Sequence, residues 1–301
     1  MALGGSLTKP RVIGVAVILS ALVTLLAVGG YWRLRTQCEC PPSQFEDATY
    51  LYRVTHFERT ATVYYGQFYE DYVLGYVFRN QKNGFYIDVG ANDPNKWNST
   101  RYFYERGWRG INIEPNAVEF KKITEFRPRD LNYNVGIANT EGTMTFYQVA
   151  GKKSGLSTFD RDEAERLKKE RGVVVTELQV PLTTLDTLLA KILIPRISFL
   201  SIDVEGFEKQ VIESIDLVRY RPAVLCIEAT QPLSEVAAYG AWEPRVLKAG
   251  YLFAMSDGLN RYYVHRDRLD LLSRFIFVDM CVKASKLKRH VKMDGFTFWD
   301  K

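Results

Sequence analysis

Residues 85–92 read Phe-Tyr-Ile-Asp-Val-Gly-Ala-Asn, an aromatic and β-branched run that stops in an acid, a glycine and two small residues. This is the pattern of a buried strand that closes in a tight turn. Beyond it, Asp93-Pro94 and the stretch from Trp97 to Gly107 can start and carry a helix. Strand, glycine turn and helix in that order put the turn at the carboxyl edge of a parallel α/β sheet, where such sheets receive ligands. Gly90 lets backbone approach a ligand closely, and Asp88 at the strand end can accept hydrogen bonds from an amine or hydroxyl. Asp-x-Gly alone is equally the mark of a plain strand and turn, so the rest of the chain decides.

Outward from this stretch the pattern alternates. A strand at 85–89 is followed by a helix around 99–106, a strand at 110–113, a helix at 117–126 and a strand at 132–137, which predicts a βαβαβ unit and a parallel sheet. Residues 67–78 carry apolar side chains at helical spacing and predict a helix packed on the sheet just before its first strand. Farther on, 142–149 and 173–180 read as extra strands, 154–159 as a loop and 161–171 as a charged, solvated helix. A short helix at 185–191, a buried strand at 197–204, a helix at 207–214, a strand at 223–227, a helix near 242–249 and a closing hairpin through 250–264 complete the order. Four strands then end in acids on one edge: Asp88, Glu114, Asp203 and Glu228.

Glu114 lies about 20 residues beyond the glycine turn, where an acid takes the ribose hydroxyls of an adenosine cofactor. The phosphate-binding Gly-x-Gly-x-x-Gly fingerprint is missing, because Gly90 is followed by Ala91, Asn92, Asp93 and Pro94, so a pyrophosphate cradle is not expected. A cofactor with adenosine but no phosphate remains, and S-adenosylmethionine is one whose ammonium and sulfonium charges suit an acid-rich rim. Several ordered motifs carry a resemblance: Phe85 to Asn92, Gly107-Trp108-Arg109-Gly110-Ile111-Asn112-Ile113-Glu114-Pro115-Asn116, Leu182-Thr183-Thr184-Leu185-Asp186, and Ser201-Ile202-Asp203-Val204-Glu205-Gly206-Phe207-Glu208. Together, over roughly residues 65–264, they resemble the FkbM family of S-adenosylmethionine-dependent methyltransferases. The resemblance implies a Rossmann-like class I methyltransferase fold with a seven-stranded, mostly parallel sheet whose last strand is antiparallel. It also implies O-methylation, commonly of sugar hydroxyls in glycans or glycosylated products. Carried over residue by residue, it puts the methionine end of the cofactor at Asp88, Gly90, Ala91 and Asn92 and the ribose at Glu114. Asn116, Asn134 and Val135 fall near the adenine, with a strand-end cap as the other role of Asn134.

A sugar hydroxyl must lose its proton during transfer, and a carboxylate or histidine within hydrogen-bond reach serves as general base. His56 precedes the sheet, His290 lies in a basic tail, and only His265 follows the hairpin, so the expected catalytic residues are Asp203, Glu205 and Glu228. Asp203 and Glu205 are also suited to cap the helix at Phe207. There is no His/Cys ligand cluster; the same three acids could hold a divalent cation that acidifies the hydroxyl, a less favoured alternative. The competing class is a methyltransferase-like membrane protein without turnover, acting in binding or trafficking, since a fold does not prove a function. RNA methylation has the basic stretch Lys283 to Lys292 in its favour but no interleaved RNA-binding motif, so no nucleic acid is expected.

The 301 residues are 47% hydrophobic and 25% charged, enough for one large domain with an appendage, and the net charge of +5 comes from interspersed charges. Residues 12–32 form an uncharged apolar run about as long as the ~20 residues that cross a bilayer. Tyr31-Trp32 followed by Arg33 and Arg35 resembles an interfacial belt, so a single-pass membrane helix is expected over a cleaved signal peptide. Flanking charge leaves the orientation open. Cofactor supply and unpaired Cys226 and Cys281 favour a cytosolic catalytic domain, while the pattern Asn98-Ser99-Thr100 is the counter-argument, a glycosylation acceptor usable in a lumen. Cys38 and Cys40 are candidates for acylation or oxidation in the linker. The expected organisation is a tail (1–11), the membrane helix (12–32), a linker (33–44), a helical extension (45–84), the methyltransferase domain (85–265) and a C-terminal extension (266–301).

Overall fold

A computed structural model describes residues 50–52 and 62–290. The apolar run 12–32 and the linker cysteines lie outside these residues. Among the described residues, no helix is long and apolar enough to cross a membrane.

The strands are β1 (Tyr50–Tyr52), β2 (Thr62–Tyr64), β3 (Phe85–Val89), β4 (Arg109–Ile113), β5 (Leu131–Tyr133), β6 (Gly136–Ile137), β7 (Gly142–Val149), β8 (Val175–Thr183), β9 (Phe199–Ile202), β10 (Val224–Glu228), β11 (Tyr251–Ser256) and β12 (Asn260–His265). The helices are α1 (Glu70–Val77), α2 (Arg101–Glu105), α3 (Ala117–Phe126), α4 (Arg161–Arg171), α5 (Leu185–Ala190), α6 (Glu208–Glu213), α7 (Leu217–Tyr220), α8 (Glu243–Lys248) and α9 (Leu269–His290). Seven strands form the main sheet in the order β11-β12-β10-β9-β3-β4-β5. β10, β9, β3, β4 and β5 pair in parallel, and β12, the last strand, runs antiparallel to both neighbours. The expected seven-stranded, mostly parallel sheet is therefore present. Strand order reverses beside β3, between β4 and β9, and that reversal opens a crevice at the carboxyl ends.

β3 is buried along its whole length, which is why it reads as a nearly continuous apolar run. Its two faces meet different cores. One is mainly aliphatic, built on Ile87, Ile113, Leu200, Ile202 and Ile227 with α5 and α6. The other is aromatic, with Phe199 packed among the rings of Phe78, Tyr86, Phe103 and Trp108 at centroid distances of 4.9–6.2 Å. Removing a ring so placed costs about 3–5 kcal/mol. Cys226 lies in this second core as a buried free thiol, and burial pushes its pKa up.

Local chemistry sets the helix ends. Asn116, Asp160, Thr184 and Asp216 cap α3, α4, α5 and α7 by accepting backbone N–H bonds, and Gly172 closes α4 in the left-handed region. Asp203 and Glu205 do not cap α6; the residue before it is Phe207, which offers no side-chain cap. Glu208, inside the helix, turns back instead and accepts from Val204 N and Gly206 N.

Two further differences bear on the site. The strand expected over 132–137 is broken: 131–133 stay in the main sheet, while 136–137 leave it for a small sheet ordered β6-β8-β7. The break falls at Asn134, whose amide donates to the carbonyls of Glu114 (2.8 Å) and Pro115 (3.0 Å) and ties the chain to the end of β4. Past residue 265 the chain forms α9, and its Leu271, Phe275 and Val278 enter the aromatic core beside α1.

Candidate active site

At the crevice, β3 ends in a turn fixed from both sides. Gly90 N and Ala91 N both donate to Ile113 O of β4. Gly90 has φ +86, and a Cβ there would lie 1.8 Å from the backbone carbonyl oxygen of Asp203, so only glycine fits. Asn92, also in the left-handed region at φ +47, donates its N–H to Glu114 Oε2 (2.8 Å), and Asn116 N donates to Glu114 Oε1 (2.7 Å). Glu114 thus spans the first two βα turns, with burial raising its pKa to about 7 against those two bonds.

The pocket here has about 510 Å³ of empty space, the open solvent at its mouth included. Of the residues expected to hold a cofactor, Gly90, Asn92, Glu114 and Val135 line it, as do Asp203 and Glu205 of the expected catalytic set. The others stand behind that lining. Asp88 is 5% exposed and accepts from Thr100 Oγ1 (2.8 Å), with burial raising its pKa to about 6. Ala91 uses its carbonyl to accept from Asn98, Asn116 takes Val118 N and Gln148 Nε2, and Asn134 serves the strand break.

Sequence reasoning missed two groups. The first is the flap over the pocket: Phe146 of β7 and the segment with Ser154, Gly155, Ser157, Thr158 and Phe159, which contribute to the lining. Thr158 Oγ1 donates to Glu205 O (2.8 Å) and so ties the flap to the turn after β9. The clustered Gly151 and Gly155 were the available signal. The second is a clasp under the glycine turn. Asn98, 4% exposed, donates to Ala91 O and accepts from Thr100 N, Thr100 Oγ1, Arg101 N and Arg127 Nη2.

The acids on the other side of the crevice feel one another's charge. Asp203 is surrounded by protein yet exposed toward the pocket mouth, whereas Glu228 is only 4% exposed. Burial, and then the charge of Asp203, push Glu228 well above the carboxylate range; Asp203 is raised by burial and lowered by its hydrogen bond with Glu228. Water reaches Asp203 and screens its charge, so of the two it is Glu228 whose carboxyl is pushed up the more strongly. Glu205, half-buried, has the left-handed φ of +53 and is also raised by burial, then by Asp203 and Glu208. Among the described residues, no group of three or more His, Cys, Asp or Glu side chains is placed to hold a metal ion.

A reversed strand order at a backbone-lined glycine turn, an acid at the second strand end and an antiparallel last strand fit a methyltransferase fold. Residues 88–253 match the model of the methyltransferase FkbM domain, and the chain belongs to that family. Membership makes it a methyltransferase and implies the use of S-adenosylmethionine. Among curated proteins, none matches the chain.

Proposed function

We propose that this protein is a membrane-anchored O-methyltransferase that methylates a sugar hydroxyl of a glycan or glycoconjugate. The observation that carries the reading is the Asp203–Glu228 carboxyl pair beside the glycine turn.

The residues present fit the cofactor that the family implies. Gly90 leaves no room for a side chain, so bare backbone faces the pocket, and Glu114 keeps free lone pairs for a diol while bound to two N–H groups. Val135, Ile113, Phe146 and Phe159 supply apolar walls for a flat base. When bound, S-adenosylmethionine supplies an electrophilic methyl group. The chain orients the acceptor hydroxyl and takes its proton. Two carboxyl groups sharing one proton offer an ionised oxygen near neutral pH, and general-base assistance contributes about 10²–10⁴-fold. Asp203 would receive the proton, with Glu228 holding it in place and Glu205 shaping the wall. Replacing Asp203 with Asn or Glu228 with Gln should lower turnover by about that factor while cofactor affinity by calorimetry stays within about twofold. Full turnover in both variants would exclude this base, and parallel assays with a chelator test the divalent-cation alternative.

The anchor is the apolar run 12–32, with the domain on the cytosolic side. Support comes from Asn98: its amide nitrogen is buried and donates to Ala91 O, so a glycan attached there is incompatible with the fold. The buried free thiol of Cys226 fits a reducing compartment as well. Protease treatment of sealed vesicles checks the side. Digestion of the domain without detergent is expected, and protection together with a glycan on Asn98 would reverse the assignment.

A further inference from the structure

The end of β10 carries two buried polar atoms that nothing among the described residues satisfies. Glu228 Oε2 and Thr230 Oγ1 have no hydrogen-bond partner, although Glu228 is 4% and Thr230 8% exposed. Such groups are rare in folded proteins because each costs about 1–3 kcal/mol when left unpaired. They are also not independent. The chain is extended from 224 to 228, and Thr230 continues it in a bridge with Ala237, so residues two apart face the same side. Asp203, whose charge acts on Glu228, lines the pocket. The unpaired pair therefore sits at the strand end whose first member feels the charge of the proposed base.

We propose that Glu228 Oε2 and Thr230 Oγ1 form an acceptor subsite that takes a neutral vicinal diol, one hydroxyl on each atom. This deepens the reading of the protein as a sugar O-methyltransferase and rests on it for the reaction, though not for binding. Residues two apart on a strand are separated by about 6.6 Å. Neighbouring hydroxyl oxygens of a sugar, each adding one hydrogen bond of about 2.8 Å, span a comparable length. Glu228 Oε2, on a carboxyl whose proton is shared with Asp203, accepts from one hydroxyl, and Thr230 accepts from or donates to the other. Charge selects in the same direction. Asp203, Glu205, Glu208 and Glu228 crowd this edge, and Arg166, a cation that acts on Glu205, is already held by Glu163, Glu170 and Pro232 O. A sugar acid would bring a further negative charge among them, so the subsite rejects uronates and sulfated sugars.

The test uses the full chain saturated with S-adenosylhomocysteine, titrated with methyl α-mannopyranoside, its 3-deoxy analogue, which has no vicinal diol, and methyl glucuronide, with binding read by ligand-observed NMR. The mannoside should bind at least fivefold tighter than the other two. Thr230→Val should remove that preference over the deoxy sugar, and Thr230→Ser, which keeps the hydroxyl, should restore it. Unchanged selectivity in Thr230→Val, tighter binding of the glucuronide, or no binding of the mannoside overturns the subsite. Methyl transfer to the same sugars is scored separately. Diol binding without transfer sinks the O-methyltransferase reading alone, and transfer that ignores Thr230 sinks the subsite alone.

Discussion

Gly90→Ala isolates the closest backbone approach in the crevice, and Gly107→Ala supplies its control. Both glycines have nearly the same conformation, φ +86 and φ +87, but a Cβ at 107 meets nothing within 4 Å, whereas one at 90 falls 1.8 Å from Asp203 O. The conformational penalty for an alanine in the left-handed region is about 1–2 kcal/mol and applies to both. At position 90 the obstacle is a main-chain carbonyl that cannot swing aside, since the same residue's N–H is held by Val89 O at 3.1 Å. Shifting the exit of β9 adds about 1–3 kcal/mol, the usual cost of overpacking. The expected losses are therefore about 1–2 kcal/mol for Gly107→Ala and about 2–5 kcal/mol for Gly90→Ala, the latter a large share of a total of ~5–15 kcal/mol. Chemical denaturation measures both, and calorimetry with S-adenosylmethionine should show binding lost only in Gly90→Ala. If the two variants lose the same stability and both bind, the contact with Asp203 is not what restricts position 90 to glycine.

Glu114→Gln should weaken S-adenosylmethionine binding by about 1–3 kcal/mol in calorimetry, because an amide cannot accept from Asn92 N, Asn116 N and a ligand diol together; unchanged affinity would remove Glu114 from the ribose role. Burial and the neighbouring charge of Asp257 raise Glu70 from 4.5 to about 8, so the folded protein binds its proton where the unfolded chain has lost it. Its contribution is fully present below about pH 4.5 and is lost as pH rises through about 8. Stability should fall across that window and Glu70→Gln should flatten the slope, which denaturation at several pH values checks. Asn98→Ala should lower the melting temperature by several degrees, since the N–H groups of Thr100 and Arg101 and a nitrogen of Arg127 lose their acceptor together; a surface residue's small effect there would refute the clasp.

Much of the scaffold was legible because its signals are local. α3 and α4 occupy the residues 117–126 and 161–171 expected of them, and β7 spans the alternating run 142–149. The edge of acids was legible for a different reason: parallel strands deliver all their carboxyl ends to one side, so knowing the order of elements places Asp88, Glu114, Asp203 and Glu228 near one another. Which acid faces the pocket was not legible. Asp88 and Glu114 end adjacent strands, yet Thr100 occupies one and the pocket receives the other, a choice made by a helix start twelve residues downstream. The break at Asn134 and the flap at 154–159 arise from contacts between segments far apart in the chain, which no window of neighbouring residues contains. α9 was missed although Leu271, Phe275 and Val278 keep helical spacing, because the basic stretch after them dominated the reading.

The strand order has a consequence for assembly. β3 is made early in synthesis, but the neighbour that completes its second side is β9, and the contact of Phe85 with Ser198 joins residues 113 apart. Closing so long a loop comes late in folding and slowly, since its entropy must be spent before the pairing returns anything. Until then Gly90 has no Asp203 beside it and the first half-sheet presents β3 as an open apolar edge. A ribosome-bound chain that ends before residue 199 is accordingly expected to call on chaperones, and competence for the cofactor arrives in one step, with the emergence of β9.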